Sequence, residues 1–152
     1  MSSSTSETPV ITPHQTMRGH THWVTDVVHL PGGRHIMTCS LDGSLRLWDL
    51  ERGAQIGDDW RDGYHDDGVW SMALSPNGKT VASGSGSMNG TVRLWNVKKR
   101  KVIARCTGHT DVVYALCWNG YGDRVASISW DGTARVHLTH QNLQRVETKT
   151  AL

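Results

Sequence analysis

The stretch Asp42-Gly43-Ser44-Leu45-Arg46-Leu47-Trp48-Asp49 places a tight Asp-Gly turn directly before a short segment of alternating apolar residues. Leu45 and Leu47 stand two residues apart, so both point to one side of an extended strand. Related stretches follow at residues 89–96 and 131–138, each with a glycine at the second position and an arginine at the fifth. This recurrence indicates that the chain is built from repeated β-structural units.

The repeat is anchored by His20, His65 and His109, which are separated by 45 and 44 residues. A period of roughly 40–45 residues is typical of a four-stranded propeller blade. A valine follows each histidine by four residues, and two hydroxyl residues follow it by 18 and 20 residues. These hydroxyl pairs are Thr38 and Ser40, Ser83 and Ser85, and Ser127 and Ser129. The predicted units are residues 18–62, 63–107 and 108–150.

Each unit is predicted to contain four β-strands, because β-rich runs alternate with turns and no segment shows a helical period. In the first unit the predicted strands are residues 23–30, 34–40 and 44–50. The fourth strands are predicted near residues 55–59, 101–106 and 143–148. An additional strand is predicted at Val10 to Met17, after a disordered tail at residues 1–9.

Composition excludes several classes of protein. The net charge of +2 gives little attraction for nucleic acid or an anionic membrane surface. No apolar run reaches the roughly 18 residues that span a bilayer, and the Ser/Thr-rich N-terminus lacks the apolar segment of a secretory signal. Three cysteines without C-x-x-C spacing favour a reducing compartment, so the sequence predicts a cytoplasmic or nuclear protein.

The units open at Gly19-His20 and Gly108-His109 and end in Leu47-Trp48-Asp49 and Leu94-Trp95-Asn96. In these motifs the chain resembles the WD-repeat β-propeller family over about residues 17–145. The resemblance implies an all-β, propeller-type array of three four-stranded antiparallel blades, either half of a closed ring or a fragment of one. It also implies a non-enzymatic platform for other proteins.

The family resemblance implies a hydrogen-bonded tetrad of His, Ser or Thr, Asp and Trp in each blade. The assigned tetrads are His20, Ser40, Asp42 and Trp48; His65, Ser85, Asn89 and Trp95; and His109, Ser129, Asp131 and His137. The other hydroxyl of each pair, on Thr38, Ser83 or Ser127, remains an alternative. Because Asn89 replaces a carboxylate and His137 replaces a tryptophan, two tetrads depart from the pattern, and blade three is predicted to be the least rigid.

The resemblance also implies where partners bind. In this family the partner surface carries the loop before the first strand and the turn before the tetrad Asp. We call the matching residues the top face, and they are Trp23, Leu41, Trp70, Met88, Tyr114 and Trp130. Tryptophan, tyrosine and methionine are favoured in binding interfaces, so the predicted partners are proteins or peptides.

Three chemical alternatives fit the sequence less well than a binding platform does. The His/Ser/Asp sets resemble hydrolase triads, but they recur in every repeat and no G-x-S-x-G motif is present. The glycine-rich segment at residues 84–90 precedes a strand, whereas a phosphate loop precedes a helix. His20 and His22, two residues apart, have no cysteine or carboxylate at ligand spacing, and the other repeated histidines are explained by their places in the repeat. The sequence therefore predicts no catalytic residue, no metal and no cofactor.

Three blades raise the problem of closure, because propellers contain about four to eight blades. Repeats bury their apolar faces only against neighbouring repeats. Two solutions remain open at this stage: a homo-oligomer in which two chains form a six-bladed ring, or a chain that is part of a longer propeller. In the second case the array acts as a purely structural module.

Overall fold

The computed structural model describes residues 2–63 and 67–139, and these residues form three antiparallel sheets and no helix. The prediction of an all-β array is therefore confirmed. In the first sheet, which is blade one, the strands lie in the order β1-β2-β3-β4. Their bounds are Val24–His29 (β1), His35–Ser40 (β2), Leu45–Asp49 (β3) and Ala54–Gln55 (β4).

The second and third sheets repeat this arrangement as blades two and three. Blade two contains β5 (Val69–Leu74), β6 (Thr80–Ser85), β7 (Val92–Asn96) and β8 (Lys101–Cys106). Blade three contains β9 (Val113–Trp118), β10 (Arg124–Ser129) and β11 (Ala134–Leu138). Its fourth strand was predicted at residues 143–148, which lie outside the described residues.

The fourth strand of blade one differs from the prediction, which placed it near residues 55–59. The strand ends at Gln55, and after a last bond from the Ile56 N–H to the Leu47 carbonyl at 2.8 Å the pairing is interrupted at Gly57, which adopts a φ of 69°. It resumes at Trp60, whose N–H donates to the Leu45 carbonyl at 2.8 Å and whose carbonyl accepts the Leu45 N–H at 3.0 Å. The interruption carries Trp60 back into the core, where it is almost fully buried.

The additional strand predicted at Val10 to Met17 is wrong: these residues belong to no sheet and nearly all are exposed. Pro13 in the middle of the segment has no N–H to donate to a ladder. The segment contacts the array at Gln15, whose side-chain amide donates to the Leu50 carbonyl just beyond β3.

The apolar core lies between blades. One cluster joins blade one to blade two and contains Cys39, Leu45 and Leu47 from the first blade against Val69 and Met72 from the second. A second cluster joins blades two and three (Ala82, Val92, Leu94, Val113 and Val125). Each blade therefore depends on its neighbour for burial, as expected for a repeat array. Nowhere in the described ranges is there a helix of the length and apolarity that a bilayer span requires.

Candidate functional site

Blade one contains a continuous chain of side-chain hydrogen bonds. The buried Trp48 indole N–H donates to Thr38 Oγ1 at 2.8 Å, and the Thr38 hydroxyl lies 2.7 Å from His20 Nε2. His20 Nδ1 lies 2.8 Å from the Asp42 carboxylate. If His20 Nδ1 carries the proton, Thr38 accepts from Trp48 and donates to His20, and His20 in turn donates to Asp42. The chain ties strands β2 and β3 to the loop before β1 and to the turn before Ser44.

The hydroxyl in this chain belongs to Thr38, so the assignment of Ser40 to the tetrad is wrong. Trp48 pairs with Ile36 across the sheet. Thr38 is two residues from that pair, about 7 Å along the strand, whereas Ser40 is four residues away, about 13 Å. Ser40 lies at the turn instead, where its Oγ accepts the Asp42 backbone N–H at 3.0 Å.

Blade three repeats the chain with two histidines. His109 Nδ1 lies 2.8 Å from the Asp131 carboxylate, and His109 Nε2 lies 2.8 Å from Ser127 Oγ. His137, in place of tryptophan, lies 3.0 Å from the same hydroxyl through Nε2. Here too the assignment of Ser129 is wrong, since its Oγ accepts the Asp131 backbone N–H at the turn.

In blade two the described part of the chain is shorter. The Trp95 indole N–H donates to Ser83 Oγ at 2.8 Å, so Ser83 takes the tetrad position that was assigned to Ser85. Ser85 accepts the Ser87 backbone N–H near the turn. Asn89 donates from its side-chain amide to the Asp67 carboxylate. The predicted member His65 lies outside the described residues.

The carboxylates of Asp42 and Asp131 are held in their ionised forms. Burial opposes ionisation of Asp42, but hydrogen bonds from Ser44, His20 and backbone amides outweigh it and keep its pKa well below the ordinary value. The pKa of Asp131 is lowered first by the Thr133 hydroxyl and then by His109. Ser44 and Thr133, each 2.6 Å from the carboxylate, were not among the predicted site residues. Their recurrence directly after Asp-Gly is the signal that could have found them.

His137 makes the stability of blade three depend on pH. Burial, followed by the charges of His109 and Arg135, lowers the pKa of His137. An imidazole with a depressed pKa contributes stability that is fully present above its unfolded pKa of about 6.5 and is lost as the pH falls. Protonation at mildly acidic pH therefore weakens this blade.

Replacing His137 with tryptophan should remove this pH dependence and raise the free energy of unfolding by about 1–2 kcal/mol, because the indole adds apolar area and still donates to Ser127. Urea unfolding of His137→Trp and the parent chain at pH 7.5 and 5.5 measures both effects. The matched control is His14→Trp, in the exposed N-terminal segment. An equal loss of stability on acidification in parent and variant would contradict the assignment.

A network of arginines and aspartates, which the sequence analysis missed, lies beside the tetrads of the first two blades. Arg46 is nearly buried and donates to Asp59 at 3.0 Å. Arg93 donates to Asp62 at 2.5 Å, and Arg105 contacts the same carboxylate. The signal is the concentration of acidic residues between the first two repeats. These ion pairs compensate the charge of arginines that the repeat places inside the array.

The six residues of the top face lie at one end of the sheets. The loop before each first strand is bonded to the turn after the second strand: Leu41 N–H donates to the Trp23 carbonyl at 3.0 Å, and Trp130 N–H donates to the Val112 carbonyl at 3.1 Å. Trp23, Met88 and Trp130 are exposed, and Tyr114 is partly so. Leu41 is half-buried and packs close to Gly68 of the next blade.

Two of these residues form an aromatic pair between blades. The rings of Trp70 and Trp130 lie edge to face, with centroids 5.5 Å apart and planes inclined by 64°. This geometry is favourable for aromatic side chains and fixes both rings. The predicted top face therefore contains an aromatic pair whose two rings are already in contact.

No group of three or more His, Cys, Asp or Glu side chains suited to hold a metal ion occurs in the part of the chain that the structure covers. The hydroxyls of Thr38 and Ser127 are buried and already occupied on both sides. They lack the exposed, free position that a nucleophile requires. The exposed side chains of the top face offer aromatic and apolar contact.

Comparison with known proteins identifies the repeat. The model of the family described as WD domain, G-beta repeat, matches residues 11–49, 63–96 and 100–137. Autophagy-related protein 16 of Arabidopsis thaliana is 29% identical over 131 residues, covering 82% of this chain and 23% of that protein. Human striatin-3 is 27% identical over 150 residues, covering 86% of this chain and 19% of that protein.

A third relative is the human peroxisomal targeting signal 2 receptor, which is 32% identical over 95 residues, covering 62% of this chain and 29% of that protein. The chain thus spans less than a third of the length of each of these three relatives.

Proposed function

Because this chain belongs to the WD-repeat family, we propose that it is a non-enzymatic protein-interaction scaffold that presents its top face to a peptide or protein partner. The observation that carries this proposal is the Trp70–Trp130 pair on the top face, with ring centroids 5.5 Å apart. Trp23 and Met88, which also belong to the top face, are both exposed. The proposed site is this surface, not a pocket with reactive groups.

The Trp70–Trp130 pair is already ordered before a partner binds. Aromatic side chains contribute large contact areas for a small loss of rotamer freedom. The backbone of Trp130 is bonded to Val112 at 3.1 Å, and its ring is fixed against Trp70. A partner therefore meets a surface that is already ordered, and little conformational entropy is lost when it binds.

The class of partner follows from the same surface. Exposed tryptophan, tyrosine and methionine are typical of protein–protein hot spots, and a net charge of +2 offers little to a phosphate backbone. We therefore propose proteins or peptides as partners and not nucleic acid or membrane. The cytoplasm or nucleus is the proposed location, since three cysteines without C-x-x-C spacing favour a reducing compartment. One relative is by its name a receptor for a targeting signal, which supports recognition of a ligand by such repeats.

Replacing Trp130 with alanine should weaken partner binding by about 2 kcal/mol, roughly 30-fold in Kd, since central aromatic residues dominate such interfaces. A random peptide library selected on the immobilised full chain supplies the ligand, and isothermal titration measures its affinity. The matched control is Tyr121→Ala, because Tyr121 is almost fully exposed on a turn at the opposite end of blade three.

The outcomes separate the scaffold from its alternatives. Weaker binding of the Trp130 variant with unchanged binding of the Tyr121 variant supports the top face as the site. Equal affinities for both variants contradict it. A library that yields no ligand for the folded chain would favour the second candidate, a purely structural repeat module of a larger propeller. The exposed apolar residues Val27 of blade one and Val136 of blade three support that candidate.

A further inference from the structure

The two ends of the array expose surfaces that the interior of the array buries. We call the side of a blade that packs on the following blade its trailing face, and the side that receives the preceding blade its leading face. The trailing face of blade one contains Leu45 and Leu47, and it packs on Val69 and Met72 of the leading face of blade two. Blades two and three meet in the same way. The structure therefore contains two examples of a trailing face packed on a leading face.

Within the described residues, no further blade packs on the trailing face of blade three. Val136 occupies the strand position of Leu47 and Leu94. Its exposed fraction is 66%, whereas those of Leu47 and Leu94 are 8% and 3%. Ile128, one strand away, is also exposed, although Cys39 at the same repeat position is fully buried. Exposed apolar, β-branched residues grouped on one sheet face are typical of a surface that contacts another protein surface.

In blade one it is the leading face that is exposed. Val24 and Val27 occupy the strand positions of Val69 and Met72 on the leading face. They are each 54% exposed, whereas Val69 and Met72 are 3% and 4% exposed. The array thus offers one free trailing face and one free leading face, and these are the two surfaces that already fit each other inside the chain.

We propose that both faces are covered by a second copy of this chain, with the trailing face of each copy against the leading face of the other. Such head-to-tail contacts close into a ring when the rotations add to a full turn. One copy has three blades, two copies have six and three copies have nine. Since propellers contain about four to eight blades, two copies are the number that closes within that range.

The contact between copies lacks one feature of the interior contacts. Inside the chain, Asp26 Oδ2 accepts the Met72 backbone N–H at 2.9 Å, and Ser71 donates to the Val113 carbonyl at 2.9 Å. Ala115 stands at this repeat position in blade three and has no side chain to make such a bond. The association of copies therefore depends on apolar contact, and we expect it to vary with concentration in the micromolar range.

Sedimentation velocity of the full chain across a micromolar concentration series tests the assembly. We expect a dimer that dissociates on dilution, and a loss of dimer in Val136→Glu and in Val27→Glu, since either change places a charge in an apolar contact. Tyr121→Glu, which adds the same charge away from both faces, should leave the dimer intact. Far-UV circular dichroism confirms that each variant is folded.

Mixing the two defective variants distinguishes this ring from other dimers. In a mixed pair, the Val136→Glu trailing face meets the Val27→Glu leading face at one contact, and the other contact is entirely unmodified. The mixture should therefore form dimers where neither variant alone does. A folded monomer at all concentrations overturns the proposal, as do oligomers larger than two copies, a dimer insensitive to both substitutions, and a mixture that fails to associate.

Discussion

Replacing Trp95 with alanine is expected to destabilise the chain by about 3–5 kcal/mol, the usual range for removing a buried tryptophan. Trp95 is 1% exposed, its indole N–H donates to Ser83, and its ring lies 6.3 Å from that of Trp60. The substitution leaves a cavity in the cluster that joins blades one and two and deprives Ser83 of its donor. Since small domains are stable by about 5–15 kcal/mol, we expect much of the folded population to be lost.

Urea unfolding followed by far-UV circular dichroism measures this loss. The matched control is Trp23→Ala, the same substitution at an exposed position of the top face, which should change the free energy of unfolding by no more than about 0.5 kcal/mol. Equal stabilities for the two variants would show that the cluster around Trp95 does not hold the blades together.

The all-β repeat was predictable because its signals are local. Turn residues and the alternation of apolar residues are features of short stretches of sequence. Strands β1 to β3 and β8 accordingly lie close to their predicted places. The fourth strand of blade one was less predictable, because the interruption at Gly57 returns the chain to the sheet at Trp60. A break of that kind depends on what the returning residue packs against.

The hydroxyl residue that joins each tetrad could not be predicted from the alternation of residues. Thr38 and Ser40 have the same spacing parity and lie on the same side of β2, so alternation alone does not separate them. The decision depends on the register, which places Trp48 opposite Ile36 and two residues from Thr38. The same is true of Trp70 and Trp130: the sequence placed both on the top face, but their contact depends on how neighbouring blades pack.

Replacing Gly84 with alanine is expected to separate blade three from blade two. A Cβ atom at this position would lie 2.4 Å from Ser71 Oγ, 2.7 Å from the Val113 carbonyl oxygen and 2.8 Å from Val113 Cγ1. Real Cβ contacts are longer, so blade three must move away from β6. Overpacking of this kind costs about 1–3 kcal/mol, and the bond from Ser71 to Val113 is lost in addition.

Hydrogen exchange measured by mass spectrometry localises the effect. We expect faster exchange in β9 and β10 of Gly84→Ala, with β1 to β3 little changed, because the strain lies at one interface between blades. Gly120→Ala is the matched control: no atom lies within 4 Å of its Cβ position, so its exchange should match that of the parent chain.

The double variant Ser71→Ala/Gly84→Ala decides whether the clash lies between blades or within one. Removing the Ser71 hydroxyl relieves the shortest contact, which is internal to blade two, but both contacts with Val113 remain. If blade three is displaced by those contacts, the double variant stays destabilised and β9 still exchanges rapidly. Full recovery in the double variant would place the strain inside blade two and would contradict the close approach of Val113 to β6, on which the packing of the last two blades depends.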